Sequence, residues 1–214
     1  MSEYRRAHIP GSSVFITLVT YQRRKLFVTA ENIDKLRQAC ATVIAEKPFA
    51  IATLSCRIEA AVILPEHIHF LWRLPPDDSD YSYRVGRMKV LFTRALRGAN
   101  TLPENVSESR RKHRESDVWQ RRTVRRFPPH TSSTRQRRFY EHTIRDEVDL
   151  RRHLDYLHFN PVKHGLVKCV HEWEYSSFHR SVRRGEYEHE WGCQCRNNQF
   201  SPEVVSLMNL EMGE

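Results

Sequence analysis

The sequence predicts a domain of mixed α and β structure, on the evidence of two residue patterns and the length of the chain. Runs of β-branched and apolar residues predict buried strands, and apolar residues three and four positions apart predict amphipathic helices. Both kinds of segment occur within the first hundred residues. A chain of 214 residues is long enough for one substantial core, or at most two small ones.

The predicted elements follow one another with clear breaks. A buried strand is predicted over 13–20, a helix over 30–47, extended segments over 50–63 and 66–74, and helices over 80–97 and 147–159. Pro48 ends the first helix and Asn160-Pro161 the last, because a residue before proline disfavours the helical conformation. In the helix over 80–97, apolar residues would face the core and arginines, Arg84 included, would flank them.

Residues 99–138 show neither period and are strongly basic. Within them, 110–138 hold eleven Lys or Arg against only Glu115 and Asp117. Such an excess of one charge is typical of a segment that stays mobile until it meets a polyanion. We therefore predict one domain over 1–195 with a basic loop insertion at about 99–138, followed by a C-terminal tail over 196–214.

Composition narrows the class of protein. The net charge of +9 and the pI near 9.6 predict an anionic partner. No stretch approaches the roughly 18 consecutive apolar residues of a membrane helix, and the first residues do not resemble a signal peptide. Five irregularly spaced cysteines argue against a disulfide framework and suit a reducing cytoplasm. Cys193 and Cys195 could bind a metal with His189, but no second pair stands at zinc-finger spacing, so ordinary thiols are the favoured interpretation.

The segment Leu-Pro-Glu-His-Ile-His-Phe-Leu-Trp over 64–72 is the most informative of the chain. In an extended conformation successive side chains alternate faces, so His67 and His69 point the same way and the apolar residues between them point to a core. Two imidazoles side by side on a strand form half of a site for a divalent metal. A third ligand must come from elsewhere in the chain.

The helix over 147–159 offers that ligand and a nucleophile. At about 100° per residue, Arg152, Tyr156 and Asn160 share a face that is offset from the leucine stripe. Tyr156 would therefore stand at the margin of the packed surface. If it looks across at the strand of His67 and His69, two imidazoles and an amide oxygen would hold a metal beside a phenol.

Such a set of groups is suited to phosphoryl transfer. A metal on imidazoles spreads the charge that develops on phosphate oxygens, and a tyrosine can form a covalent phosphodiester. Mixed nitrogen and oxygen ligands suit Mn²⁺ and, less tightly, Mg²⁺. Taken singly, each feature has a structural explanation: a structural His-x-His pair, a rim tyrosine and a solvated basic segment. Only their conjunction favours function.

Two motifs carry a resemblance to a known family. Pro-Glu-His-Ile-His over 65–69, joined to Leu-Asp-Tyr-Leu-His-Phe-Asn-Pro-Val-Lys-His-Gly over 154–165, resembles the REP-associated tyrosine transposases. Residues 2–6 and 173–180 are similar to the same family. The chain departs from the family pattern by about seven extra residues over 50–56 and by sixteen over 123–138.

The resemblance implies a fold and an activity. The fold is a ferredoxin-like α+β domain, an antiparallel sheet with helices on one side. The activity is that of a metal-dependent endonuclease and transposase, which nicks single-stranded DNA beside a hairpin of repetitive extragenic palindromes and leaves a 5′-phosphotyrosine with a free 3′-OH. By motif, Tyr156 is the nucleophile and His67 and His69 bind Mg²⁺ or Mn²⁺. Asn160 stands at the third-ligand position, where the wider group has glutamine.

The resemblance and the charge together predict the partner. We expect single-stranded DNA hairpins rather than membranes, a cytoplasmic place at the bacterial nucleoid, and a monomer. The natural phosphate contacts are basic or aromatic residues of the N-terminal arm, of the first turn and of the helix over 80–97. They are Tyr4, Arg5, Arg6, Arg23, Arg24, Lys25, Arg87 and Lys89.

Three other interpretations remain open from the sequence. The first is a palindrome-binding protein derived from such a transposase that no longer cuts. The second is a rolling-circle replication initiator or relaxase, although these tend to be longer and often carry further tyrosines or a helicase. The third is an RNA-binding accessory protein in which the histidines are structural.

Overall fold

The computed structural model describes residues 9–46, 57–97, 117–120, 139–193 and 202–213, together with Glu108 and positions 122–123 and 136–137. The inserted residues over 50–56 and the N-terminal arm with Tyr4, Arg5 and Arg6 lie outside this part of the chain. The strands are β1 (Ser13–Val19), β2 (Arg57–Ile63), β3 (His67–Arg73), β4 (Arg122–Thr123), β5 (Gln136–Arg137) and β6 (Tyr140–Thr143). The helices are α1 (Ala30–Glu46), α2 (Tyr81–Arg97), α3 (Glu147–Lys163), α4 (Phe178–Arg183) and α5 (Pro202–Met208).

The main sheet has four antiparallel strands in the order β2-β3-β1-β6, and β4 pairs with β5 separately. The chain order β1-α1-β2-β3-α2-β6 with this strand order is the ferredoxin-like arrangement, so the predicted α+β class is confirmed. Strand β3 lies inside the sheet, where both neighbours fix its backbone. The residues that it carries are therefore held on a rigid support.

Helices cover both faces of the sheet, whereas the family resemblance implied one. On one face Ile16, Ile68 and Phe70 pack with the buried residues of α1 and α2. On the other face Phe15 and Leu71 pack against α3. Strand β3 is buried on both sides because its alternate residues belong to two cores.

Three sequence predictions need correction at the level of single elements. Helix α3 continues through Pro161 to Lys163, because the proline removes only one backbone donor close to the helix end and His164 restores a bond to the carbonyl of Asn160. Arg84 is not a flanking residue but is fully buried in an ion pair with Asp78 at 2.6 Å. Cys193, for which an ordinary thiol was predicted, instead forms a disulfide with Cys169, because the fold brings together two segments that are 24 residues apart in sequence.

Two segments outside the predicted elements are part of the folded core. Within the predicted basic insertion, Val118 and Trp119 are buried, and Trp119 forms a β-bridge with Thr20. Within the predicted C-terminal tail, residues 202–208 form α5, and Val204 and Leu207 are buried against α3. In the described part of the chain, no helix has the length and hydropathy that crossing a membrane requires.

Candidate functional site

His67 and His69 lie side by side on the face of β3 that looks at α3. Their ring centroids are 5.0 Å apart, and both side chains are fully buried. The alternation that the sequence predicted is present, since Ile68, Phe70 and Trp72 point to the opposite core. The turn before His67 is fixed, because the Glu66 carbonyl accepts a bond from the backbone N–H of Thr20.

Hydrogen bonds orient both rings with Nε2 toward α3. The Thr17 hydroxyl donates to the Met212 carbonyl at 2.5 Å, so it must accept from Nδ1 of His69 at 2.9 Å. The Glu66 carboxylate accepts from Nδ1 of His67 at 3.2 Å. Metal-binding histidines usually donate their second N–H to such a partner, which fixes the tautomer and the ring direction.

Asn160 meets these imidazoles from α3. Its Oδ1 lies 3.1 Å from Nε2 of His67. When His67 donates from Nδ1, its Nε2 and the amide oxygen are two lone-pair acceptors that face each other. A proton on Nε2 would remove the repulsion between the two lone pairs, and a cation bound between the two atoms would do the same.

The distances and donor types fit a divalent metal. Two ligands at right angles on one ion lie about 3 Å apart when each bond is about 2.1 Å long, which matches the 3.1 Å separation of Nε2 and Oδ1. Burial, followed by the charge of His67, holds the pKa of His69 well below its usual range. The ring is therefore neutral, which is the form that ligates metals.

Tyr156 stands beside the histidines, but not at the surface margin that the helical pattern predicted. Its ring is 5.4 Å from that of His69, and the residue is only 1% exposed. Its phenolic oxygen accepts from Lys163 Nζ at 3.2 Å and from the Met212 backbone N–H at 3.3 Å. Both donors favour negative charge on that oxygen.

The C-terminal segment encloses the tyrosine. We call residues 202–213 the C-terminal cover. Its Met212 backbone bonds both Tyr156 and Thr17, and the carbonyl of its Leu210 accepts from Lys163. The side chain of Met212 is buried as well. In this conformation the chain's own backbone occupies the space in front of the phenolic oxygen.

The remaining charges around the site follow from burial and close contacts. His164 packs at the edge of His67 with ring centroids 4.9 Å apart, and burial, then His67 and Lys163, lowers the pKa of His164 to about 4. The hydrogen bond from His67 lowers the pKa of Glu66. Burial lowers the pKa of Lys163.

The predicted DNA contacts divide into two groups. Arg23, Arg24 and Lys25 are exposed on the turn after β1, and Arg23 lies 3.6 Å from Glu66 at the site. Arg87 and Lys89 lie on α2, on the opposite face of the sheet. Arg87 forms an ion pair with Glu46 of α1, and the ammonium of Lys89 lies over the ring of Trp119.

Sequence reasoning did not assign several residues that the structure brings to this site. Lys163 had a local signal, because a residue seven positions after Tyr156 falls on the same helix face. Glu66 had one too, as a carboxylate next to a candidate ligand. Thr17 and Met212 had none, since their contacts join residues 195 positions apart.

Comparison with known proteins gives a consistent result. No family model matches the chain. A protein of Haemophilus influenzae (strain Rd) named "Putative REP-associated tyrosine transposase" is 39% identical over 195 residues, which cover 90% of this chain and 94% of that protein. The "REP-associated tyrosine transposase" of Escherichia coli K12 is 37% identical over 206 residues, which cover 96% of this chain and 100% of that protein.

A solved structure agrees with these relatives. A REP-associated tyrosine transposase bound to a REP hairpin superposes on this chain with a TM-score of 0.69 at 34% identity, covering 100% of this chain and 98% of that one. Identity above a third over nearly the whole of each chain extends well beyond the two motifs that carry the resemblance. The chain belongs to the REP-associated tyrosine transposase family.

Proposed function

We propose that this protein is a metal-dependent endonuclease and strand-transferase that nicks single-stranded DNA beside hairpins of repetitive extragenic palindromes. The convergence of Tyr156 with His67, His69 and Asn160 in one buried cluster is the observation that carries the proposal. The four residues come from one chain, so a monomer contains the whole cluster. Chromosomal DNA as substrate would place the protein in the bacterial cytoplasm, at the nucleoid.

The substrate class is supported by charge and by the relatives. The net charge of +9 suits a polyanion. Two relatives are named for REP elements, and a third was solved on a REP hairpin. Arg23, Arg24 and Lys25 are exposed on the turn after β1, and Arg23 lies beside Glu66 of the site, so this turn can bind the phosphates of a strand that approaches Tyr156.

In the proposed reaction the phenolic oxygen of Tyr156 attacks the scissile phosphorus. The bond to the 3′-oxygen breaks and leaves a 5′-phosphotyrosine; the phenolic proton passes to solvent, and the departing 3′-oxygen takes a proton from solvent to become a free 3′-OH. Lys163 stabilises the phenolate before attack, and again when a 3′-OH displaces the tyrosine in rejoining. Mg²⁺ or Mn²⁺ held by His67, His69 and Asn160 would supply charge stabilisation at the phosphate oxygens.

A palindrome-binding protein that does not cut is the alternative, and one observation favours it. Tyr156 is almost wholly enclosed by the C-terminal cover, so no phosphate can reach it in this conformation. The alternative retains the basic surface and the hairpin partner but needs neither the metal nor the nucleophile. Binding and cutting must therefore be measured on the same preparation.

The test uses a hairpin from the palindromes of the source genome, labelled at either end. With Mn²⁺ the 5′-labelled strand should be shortened, and the 3′-labelled strand should become covalently attached to protein. Tyr156→Phe and EDTA should each abolish both signals. Hairpin binding without nicking, by wild type and variant alike, would establish the alternative. Preference for an RNA hairpin of the same sequence would contradict both.

A further inference from the structure

Four side chains of metal-binding type come together in the segments that follow α3 and α4, and none of them has a role in the proposed reaction. Cys169 and His171 follow α3, in a Cys-x-His spacing, and His189 and Cys193 follow α4, in a His-x3-Cys spacing. The fold brings the two pairs together. The sulfur atoms of Cys169 and Cys193 form a disulfide, and the rings of His171 and His189 stack with centroids 4.2 Å apart.

The contacts at this place suit a metal better than a simple crosslink. One ligand atom from each of Cys169, His171 and Cys193 lies within 4.8 Å of the others. The Nδ1 atom of His171 is buried and has no hydrogen-bond partner in the described part of the chain. A buried ring nitrogen without a partner is costly, and a metal ion would satisfy it.

We propose that, when the cysteines are reduced, Cys169, His171, His189 and Cys193 bind a structural zinc ion. Two thiolates and two imidazoles in a tetrahedral arrangement are a common closed zinc site. His189 is exposed and its ring stacks on that of His171, so we assign it as the fourth ligand. The proposal is independent of the proposed function, because it uses no residue of the tyrosine site.

The oxidised and zinc-bound forms are related by balanced steps. Two small thiols reduce the disulfide, which gives two cysteine thiols and one molecule of oxidised thiol. Zn²⁺ then binds the two sulfurs as thiolates, and two protons are released. The disulfide described here and the zinc site are thus alternative crosslinks between the same two segments.

The crosslink would stabilise a region with little regular structure of its own. Between the end of α3 and Cys193, the only regular elements are the short helix α4 and one 3-10 turn. This region packs on α3 through Trp191, whose ring centroid is 6.3 Å from that of Phe159. Joining its two ends would fix it against the helix that carries Tyr156 and Asn160. Small or loop-rich units often depend on a metal in this way.

The test measures zinc and cobalt binding by the full chain kept under a thiol-free phosphine reductant. We expect about one Zn²⁺ per chain by mass spectrometry. We also expect that Co²⁺ added to the apoprotein gives the thiolate charge-transfer band of a tetrahedral Cys-containing site. That band needs sulfur ligands, so metal bound at His67, His69 and Asn160 cannot produce it. The oxidised protein should not show the band, even if it binds zinc at His67, His69 and Asn160.

Variants assign the ligands. Cys169→Ser and Cys193→Ser should lose the charge-transfer band, whereas Cys195→Ser and His67→Ala should keep it. His171→Gln and His189→Gln should weaken zinc binding by about 100-fold or more, since even outer-shell partners contribute about 10–100-fold. Should the serine variants not fold, the wild-type cobalt spectrum and the glutamine variants decide. Reduced wild-type protein without zinc and without the band would overturn the proposal, and loss of the band in Cys195→Ser would overturn the assignment of His189.

Discussion

The phenolic oxygen of Tyr156 accepts a hydrogen bond from Lys163, and this contact sets the chemistry available to it. We predict that Lys163→Met slows nicking by about 10²–10³-fold, the usual effect of removing a donor that stabilises developing negative charge. Binding of the hairpin should change little, because the lysine side chain is half-buried in the site. Single-turnover rates and hairpin affinities measured together would separate these effects.

Lys168→Met is the matched control for this prediction. Lys168 lies five residues further along and is exposed, so the same change of charge occurs away from the phenol. Equal loss of rate in both variants would mean that net charge, and not the contact with Tyr156, is responsible.

His158 shows how burial alone can tie stability to pH. Both of its ring nitrogens are buried without hydrogen-bond partners in the described part of the chain, and burial lowers its pKa to about 3 from an ordinary 6.5. Between these values the unfolded chain binds a proton that the folded chain does not. Stability is therefore full above about pH 6.5 and is lost as the pH falls toward 3.

We predict that His158→Phe removes this dependence. The free energy of unfolding should rise by about 1–3 kcal/mol at neutral pH, because two unsatisfied polar atoms disappear and the ring stays among Phe178 and Tyr187. Urea unfolding at several pH values would measure both effects. A variant with an unchanged slope between pH 4 and 6 would show that other groups govern the acid response.

At this scale, sequence reasoning found what local geometry determines. His67 and His69 followed from strand alternation, and Tyr156 and Asn160 from helical periodicity. The proximity of these four residues depends on how α3 packs on the sheet, and helical or strand periodicity does not predict that packing. Arg84 was misjudged because a charge pattern cannot show that Asp78 accompanies the arginine into the core.

Among the secondary-structure elements, the segment after α4 is held against α3 by an unusually close approach. Gly192 has φ +68°, and a Cβ there would lie 2.7 Å from Val170 Cγ2 and 3.3 Å from Phe159 Cδ2. Gly185 has φ +71° and no neighbour within 4 Å of such an atom. The two glycines therefore share a backbone conformation but differ in packing.

We predict that Gly192→Ala destabilises the protein by about 1–3 kcal/mol more than Gly185→Ala does, the usual cost of overpacking. Both variants carry the same strain of a positive φ, about 1–2 kcal/mol, so the difference isolates the steric contact. Chemical denaturation of the two variants and the wild type would measure it. Equal destabilisation would mean that the segment moves away from Phe159 at little cost.

The C-terminal cover is the element whose removal should matter most for activity. We predict that deletion of residues 202–214 raises the rate of hairpin nicking by about tenfold or more, which corresponds to about 1.4 kcal/mol of closure. The reason is that Met212 N–H and a phosphate cannot occupy the same side of Tyr156. Initial nicking rates at saturating Mn²⁺ would measure the change.

A milder variant guards against loss of folding in the deletion. Leu207→Ser keeps the full chain but weakens the apolar anchor of α5 on α3. It should raise the nicking rate with little effect on the melting temperature of the core. Lower activity in both variants, with folding intact, would mean that the cover helps to build the site.

Long secondary-structure elements were predicted from the sequence, whereas short ones were not. Strands β1, β2 and β3 and helices α1, α2 and α3 were expected close to where they lie, because their patterns are long and regular. Strand β6, only four residues long, was not predicted. Helix α5 was not expected, since seven residues give too short a pattern and its stability comes from the surface of α3. Val118 and Trp119 lie in the core although the residues on either side of this pair are charged or polar.

For the whole molecule, the excess of positive charge should be visible as a salt dependence of hairpin binding. We predict that Arg23→Ala and Arg5→Ala each weaken binding and lower the slope of log affinity against log salt by about 0.7, the value per phosphate contact for single strands. Arg23 stands exposed beside the site, which is why it is the better-supported of the two. Titrations at several salt concentrations would give the slopes.

Arg87→Ala serves as the comparison. Two nitrogens of the Arg87 guanidinium bond the Glu46 carboxylate on the far face of the sheet, so little of its charge is available to DNA. Its slope should stay near that of the wild type. A fall in slope as large as that for Arg23→Ala would place the DNA on the α1 and α2 face instead.

Under the proposed function, a DNA strand must compete with the C-terminal cover for the place in front of Tyr156. The C-terminal cover is covalently joined to the rest of the chain, so its effective concentration at Tyr156 is typically in the millimolar range, however dilute the protein is. A DNA strand that binds only through its scissile phosphate would not displace the cover. A strand that is also bound through its hairpin would have enough additional binding energy to displace the cover. DNA sequences that bind weakly would then not be nicked, because they do not reach Tyr156. The chemical step itself would not need to distinguish them from the target.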